Sequence, residues 1–532
     1  MKKFWPVIKE NIPAVMAVTL IAFVSSLITF LIPISVTYLG ESEYNIRTIF
    51  ILFAIIIASL VIGFGLTIIK QYFTKRFQIN LSKKLYDDLF HLKYEYYNQN
   101  GATYYVDKIM GAVSNYSNLL MNIIPDIIQT WAIVIISMIM IGTISIPLLI
   151  FICCVLFLQN KGYQLINSKL GAMSIKLSNV CSRSYSNIVS VFEKVDYVKQ
   201  LSKSNGLLHM IDKDIKDRYQ ITADVNIFAG GVSGLLATFV LNVQYAVYIV
   251  LGIMTFNGKI SSATFIFGTM VINICFTNVR DLVRLSLNMK DANASFDFVE
   301  NELRSNLEPV GGNDIDSISE ISIEGTNIGY EDNILIEDIN VSAHEGDHIF
   351  LNAETGTGKT SLVKNLVRFY ENDGIYINGV PLNRISITKL RSKMVYISQQ
   401  GAIANGSLED NIFMGEKYDD DMKKVIASLP FMSKFVENGK IKDMTITDSG
   451  SNLSGGDKQK IIVSRLFLQD PDVIILDEIT SSMDKETSEI VYESIFNRFN
   501  DKIIIIISHV DNVIKYTNKI WRLEKKHIVQ SA

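Results

Sequence analysis

The chain has 532 residues with 50 Lys and Arg against 54 Asp and Glu, and a net charge of −4 leaves no basic surplus for a nucleic-acid partner. Hydrophobic residues make up 48%, charged residues 20%, and the mean hydropathy is +0.25, which excludes a purely soluble protein of this length. Cys153, Cys154, Cys181 and Cys275 lack metal-ligand spacing and read as reduced structural residues.

Residues 13–39 carry no charge, and 48–69 repeat this after a short polar break; each run is long enough to cross about 30 Å of hydrocarbon. Asp126 is the only charge between 109 and 158, so that stretch holds two spans folded back near Gly142 and Pro147. Between 225 and 279 only Lys259 is charged, beside Asn257 and Gly258, which predicts a helix, a tight outer turn and a sixth span. Six Lys and Arg lie in 74–117 and ten in 160–220, whereas the turns at 40–46 and 142–145 have none. The basic segments and the N-terminus are therefore expected in the cytoplasm, and their apolar residues at helical spacing predict extensions of the spans.

The pattern breaks at Glu308, Pro309, Gly311, Gly312 and Asn313. Beyond it, short β-branched runs alternate with helical stretches. The expected fold class is a multi-domain membrane protein: an all-α, six-helix transmembrane domain over 1–304, a linker over 305–314, and an α/β P-loop domain with a helical subdomain over 315–532.

Ala353, Glu354, Thr355, Gly356, Thr357, Gly358, Lys359, Thr360 and Ser361 follow an apolar strand at 348–351 and open a helix, the context a phosphate-binding loop requires. Backbone amides would cradle phosphate oxygens, Lys359 would neutralise the outer phosphates and the Thr360 hydroxyl would ligate Mg²⁺. Ala353 stands where the pattern has glycine, which a negative φ tolerates. The apolar run 473–476 ends in Asp477 and Glu478, the first placed to hold Mg²⁺ and the second to polarise an attacking water.

Leu453, Ser454, Gly455, Gly456 and Asp457 resemble the LSGGQ signature of ABC transporter nucleotide-binding domains. In the family's order, Tyr330 resembles the aromatic residue that stacks on adenine, Gln399 the Q-loop glutamine, 481–484 with Asp484 the D-loop, and His509 the switch histidine. The resemblance is to a half-transporter of the exporter type. It implies an ATPase using ATP and Mg²⁺, with Glu478, His509 and Gln399 catalytic, and with Thr360, Gln399 and Asp477 at the metal. It implies a second half-transporter, a homodimer ahead of a heterodimer, in which each ATP lies between one P-loop and the partner's signature. Helices near 96–106 and 201–210 would act as couplers. Asp457 replaces the usual glutamine and would put a negative charge near a phosphate site.

The implied function is ATP-driven export of an amphipathic peptide, lipid or drug across a bacterial cytoplasmic membrane by alternating access. Uptake by an exporter-fold importer, and an ATP-gated channel or regulatory half-transporter, stand as alternatives. In the membrane half, Asp126 is the one ionisable residue expected well inside a span, as a contact for cationic cargo or a proton or else near the inner headgroups. Asn242, Gln244 and Asn273 are polar pathway candidates that could equally serve helix-to-helix hydrogen bonds.

Overall fold

A chain in hydrocarbon satisfies its own N–H and C=O groups most simply as a helix, and the apolar runs of the first part of this chain do so. The structure, a computed structural model, describes residues 9–41, 46–192, 199–200, 204–330, 333–354, 356–399, 401–447, 450–508, 511–524 and 526–531. It divides into two compact units, Met1–Leu307 and Glu308–Ala532.

The first unit is all helical: α1 (Ile12–Glu41), α2 (Ile46–Phe90), the short α3 (Tyr94–Asn100), α4 (Ala102–Asn118), α5 (Ile124–Ile144), α6 (Ile146–Phe192), α7 (Ser204–Phe256) and α8 (Ser262–Asp297). Five stretches among the described residues are long and apolar enough to cross a bilayer, and Ile146–Leu158 is a shorter apolar segment that opens the 47-residue α6. The turns fall at Ser145 and at 257–261, where the sequence placed its outer turns. Much of the basic sequence continues the spans as helix: α2 runs on to Phe90, α6 to Phe192, and α7 begins at Ser204. The first expected coupler overlaps α3 and the start of α4, whereas 201–203 of the second lie outside the described residues.

Two clusters hold this unit together. One packs Leu85, Ile109, Tyr116, Leu120 and Phe298, and the other packs Val134, Ile152, Val247, Ile272 and Phe276. Outward faces carry Leu20, Leu60, Ile139, Leu235 and Ile249, all exposed, as lipid contact requires. Between α4 and α5 the helix widens into one π turn over Leu119–Ile123, just before Pro125, whose ring supplies no N–H to the preceding turn.

Of the two placings weighed for Asp126, the structure bears on the cargo contact, because the acid has a partner within the chain. Its carboxylate lies 3.2 Å from the Lys70 ammonium on α2, and neither side chain is more than one-third exposed. Asp126 sits in the first turn of α5, sixteen residues and about 24 Å from Gly142 at 1.5 Å per residue, so it belongs to the opposite end of the span from the outer turn. A carboxylate already matched to a chain cation is not an open cargo contact.

The second unit has two sheets. A four-stranded antiparallel sheet has the order β2-β1-β4-β5, with β1 (Glu320–Tyr330), β2 (Asn333–His344), β4 (Ile375–Ile377) and β5 (Val380–Pro381). A six-stranded sheet has the order β14-β13-β3-β12-β11-β6, with β3 (His348–Ala353), β6 (Met394–Ile397), β11 (Val473–Asp477), β12 (Ile503–Ile507), β13 (Lys519–Glu524) and β14 (His527–Ser531). All its pairings are parallel except β13 with β14. Every residue of β11 and β12 is buried, as covering both faces of a parallel sheet demands, and each isoleucine of β12 contributes about 1.5–3 kcal/mol.

Around the sheets pack α9 (Lys359–Leu366), α10 (Ile387–Lys393), α11 (Leu408–Phe413), α12 (Asp420–Ser428), α13 (Gly455–Ser464) and α14 (Lys485–Arg498). Short ladders join β7 (Gly406–Ser407) to β10 (Thr445–Ile446) and β8 (Val436–Glu437) to β9 (Lys440–Ile441). Of the expected linker, the part from Glu308 onward is fixed to this unit. Glu308 makes a bidentate pair with Arg391 at 2.7 and 2.8 Å, and Gly312 lies so close to the backbone of Ile385 and Ser386 that a Cβ would approach within 2.7 Å.

The Lys70–Asp126 pair yields a direct expectation. Lys70→Met and Asp126→Asn should each lower the thermal stability of the purified chain by leaving one charge unmatched, and the double variant should recover most of the loss. Strictly additive losses would show that the two groups do not act on each other.

Candidate functional site

The site gathers at the edge where the parallel strands end. β3 ends at Ala353, whose φ is negative, so its Cβ costs nothing there. The loop then turns through Gly356 (φ 82°) and Gly358 (φ 107°), a left-handed region that favours glycine. At Gly358 a Cβ would also stand 3.1–3.2 Å from Leu335 and Ile336, so the wall of β2 enforces this glycine a second time. Thr357 Oγ1 donates to Glu354 O at 2.8 Å, while Thr355 lies outside the described residues.

Lys359 opens α9, and its ammonium folds back across the loop to donate to Ala353 O at 2.7 Å. Burial holds its pKa below the usual lysine range, and the charges of Glu478 and Asp477 partly restore it. Ser361 is buried in the first turn of the same helix. A cavity of about 890 Å³ opens beside the loop, lined among others by Ile334, Leu335, Ala353, Glu354, Gly356 and Arg522. Its volume falls in the range of small-molecule and cofactor sites.

Asp477, the last residue of β11, is buried and accepts hydrogen bonds from Thr360 Oγ1 at 3.2 Å and Tyr396 Oη at 3.0 Å, both on Oδ2. Burial raises its pKa, the two hydroxyl donors pull it back, and Glu478 raises it again, so it remains above the ordinary aspartate range. Carboxylate and hydroxyl oxygens side by side form the hard donor set that suits Mg²⁺. Among the described residues no cluster of three or more His, Cys, Asp or Glu side chains is placed to hold a metal.

Glu478 follows in a left-handed conformation, φ 52°, which costs about 1–3 kcal/mol in a residue with a Cβ. Its N–H donates to Ile507 O at 3.0 Å, and Gln399 Nε2 donates to its Oε2 at 2.9 Å. The structure thus brings Gln399 to the second acid of the pair. His509 lies outside the described residues, as does the side chain of Tyr330, whose backbone ends β1 opposite Asn333.

Ser454 caps α13: its Oγ accepts Asp457 N–H at 3.1 Å, and Asp457 Oδ2 accepts Ser454 N–H at 3.2 Å. Leu453 and Asp457 are buried. Gly455 and Gly456 press on the D-loop of the same chain, where added Cβ atoms would meet Ser482 at 3.0 Å. Gln459 fixes this contact, donating to Ser481 Oγ at 2.9 Å and accepting Ser482 N–H at 3.0 Å. Asp484 caps α14 by accepting Thr487 N–H at 2.8 Å. Tyr396, Gln459 and Lys434, which pairs with Asp457, are participants the sequence analysis missed. Tyr396 and Gln459 stand within three residues of recognised motif positions, whereas Lys434 has no such signal.

In the membrane unit, Gln244 and Asn273 come together, Nε2 to Oδ1 at 3.0 Å, and Gln244 also donates to Tyr248 Oη at 2.6 Å. Asn242 is exposed, two residues along the helix from the buried Gln244. The hydrogen-bonding role weighed for these residues is the one Gln244 and Asn273 make here.

The family profile described as the ABC transporter transmembrane region matches residues 12–279, and the ABC transporter profile matches 336–481. The chain is 30% identical over 293 residues to a probable ABC transporter ATP-binding/permease protein of Haemophilus influenzae, covering 51% of this chain and 52% of that one. It is 25% identical over 414 residues to the SPbeta prophage-derived sublancin-168-processing and transport ATP-binding protein of Bacillus subtilis, covering 73% and 55%. Only about half the length of these relatives is matched. A solved bacterial Atm1-family ABC exporter with ATP bound shares the fold, with TM-score 0.83 and 15% identity, over 99% of this chain and 96% of that one.

Removing the Tyr396 hydroxyl removes a bond that favours the charged form of Asp477, so Tyr396→Phe should raise that carboxyl's pKa further. The acid limb of the pH profile for any ATP turnover should then move to higher pH. An unmoved limb in the pH–rate profile would show that Tyr396 does not tune the site.

Proposed function

Because the chain belongs to the ABC transporter family, as an integral membrane region joined to an ATP-binding domain, we propose that it is one half of an ATP-driven exporter. The observation that carries this reading is the meeting of Lys359, Thr360, Asp477, Glu478 and Gln399 at one sheet edge, in a chain whose other unit is built of membrane-length apolar helices.

ATP would enter the cavity beside the loop, with its base at Tyr330 and its phosphates over 353–361. Lys359 would exchange its bond to Ala353 O for phosphate oxygens, at small cost because the ammonium is already drawn in beside the loop. Thr360 and Asp477 would hold Mg²⁺, whose charge would offset that of the phosphates. Glu478, held by Gln399, would orient a water at the γ-phosphorus and accept its proton as the bond to the β-phosphate oxygen breaks. His509 is assigned to the same transition state by resemblance.

One chain supplies a P-loop and a signature helix. Two copies arranged head to tail would complete two sites, each closed by Ser454 and the Gly455 and Gly456 amides of the second chain. A homodimer is the simplest assembly. The excess of Lys and Arg in 74–117 and 160–220 supports a cytoplasmic N-terminus and ATP-binding domain, and the proposed location is a bacterial cytoplasmic membrane. Export of an amphipathic cargo, such as a peptide, lipid or drug, is supported by the exporter fold and by the short outer turns at Ser145 and 257–261.

Phosphate release by the full chain in lipid nanodiscs should fall by about 10²–10⁴-fold in Glu478→Gln, while ATP still binds. A rate that survives this change would sink the assignment.

A further inference from the structure

The start of the signature helix is held by a charge pair of which only the acid belongs to the motif. Lys434 belongs to a short helical segment, Pro430–Phe435, and its ammonium donates to Asp457 Oδ2 at 2.5 Å. That same oxygen accepts Ser454 N–H at 3.2 Å. The backbone at the lysine is anchored, because Phe431, Met432 and Phe435 are buried and Lys442 Nζ donates to Lys434 O at 2.8 Å, while the Lys434 side chain, 62% exposed, reaches Asp457 from the solvent side. Asp457 is 4% exposed, so water contributes little to solvating its charge.

This arrangement solves an electrostatic conflict. The N-terminus of α13 attracts anions through its unpaired amides and dipole, and Ser454, Gly455 and Gly456 lie there. A carboxylate three residues into the helix is a good cap, but its charge opposes an approaching phosphate. Glutamine at this position would cap without charge. This chain keeps the acid and adds a cation from another segment.

We propose that Lys434 and Asp457 form a single positioning unit for the signature loop. Lys434 cancels the buried charge and holds the carboxylate on Ser454 N–H, so that α13 presents donors rather than an acid to the nucleotide of a second chain. The inference rests on the exporter reading above and deepens it. It makes Lys434, a residue outside every recognised motif, a positioning residue for ATP turnover at the composite site.

The test measures kcat and KM for MgATP hydrolysis by the full chain in nanodiscs, together with thermal unfolding of each variant. Wild type and Glu478→Gln are compared first; turnover indifferent to Glu478→Gln overturns the exporter reading and this proposal with it. With that reading intact, Lys434→Gln should lower kcat/KM by about tenfold or more, the scale of one hydrogen bond to a charged group. Lys434→Arg should retain most of the activity, and Asp457→Asn added to Lys434→Gln should recover most of the loss. A merely structural pair would lower the unfolding temperature of Lys434→Gln while leaving kcat/KM within about twofold of wild type, which would overturn the proposal. Failure of Asp457→Asn to restore the Lys434→Gln variant would overturn it equally. Lys434→Met, compared in the same way, supplies the result if the glutamine variant does not purify.

Discussion

Burying a carboxylate at the end of an apolar strand is the constraint around which the ATP-binding unit is arranged. Asp477 completes β11, all five residues of which are buried, and a charge in such a place costs several kcal/mol unless it is matched. Tyr396 on the adjacent β6 and Thr360 on α9 answer that cost, so the elements that solvate the acid are those that bracket the phosphate loop. The very next residue turns into the left-handed region, which separates Glu478 from Asp477 and delivers it to Gln399. Parallel strands bring these groups to one edge because their C-terminal ends all open on the same side.

The chemistry of this unit was largely legible in the sequence because it lies in contiguous runs. The loop from Ala353 to Ser361 and the acids after β11 are local patterns, and Ala353 proved tolerable for the reason a negative φ supplies. Partners drawn from distant segments carry no such signature. Tyr396 meets Asp477 across 81 positions, Lys434 meets Asp457 across 23, and Gln459 meets Ser481 across 22. Spacing alone could not reveal that the negative charge of Asp457 is turned inward and matched. Nor could it show that Gly455 and Gly456 are needed for packing on Ser482 as well as for any contact with nucleotide.

In the membrane unit, absence of charge located the spans, and the two short turns followed from Gly142–Pro147 and Asn257–Lys259. What the sequence left open was depth. Lys70 stands just past the uncharged run 48–69, and α2 continues unbroken through it to Phe90, carrying the lysine to within 3.2 Å of Asp126. Counting rise per residue from the outer turn places the acid at the far end of its span, where a basic partner is available. The Gln244–Asn273 bond has a similar lesson: polar groups in an apolar bundle satisfy each other before they are available to cargo.

The claim on which the account turns is that one chain's phosphate loop works only with another chain's signature. Mixing two inactive variants, Lys359→Ala and Ser454→Phe, tests it most directly, because a mixed dimer pairs one intact phosphate loop with one intact signature. The account expects each variant alone to release no phosphate and the reassembled mixture to regain activity that depends on Glu478 in the Ser454→Phe chain. An inactive mixture that has demonstrably formed mixed dimers, or either variant turning over ATP by itself, would contradict it.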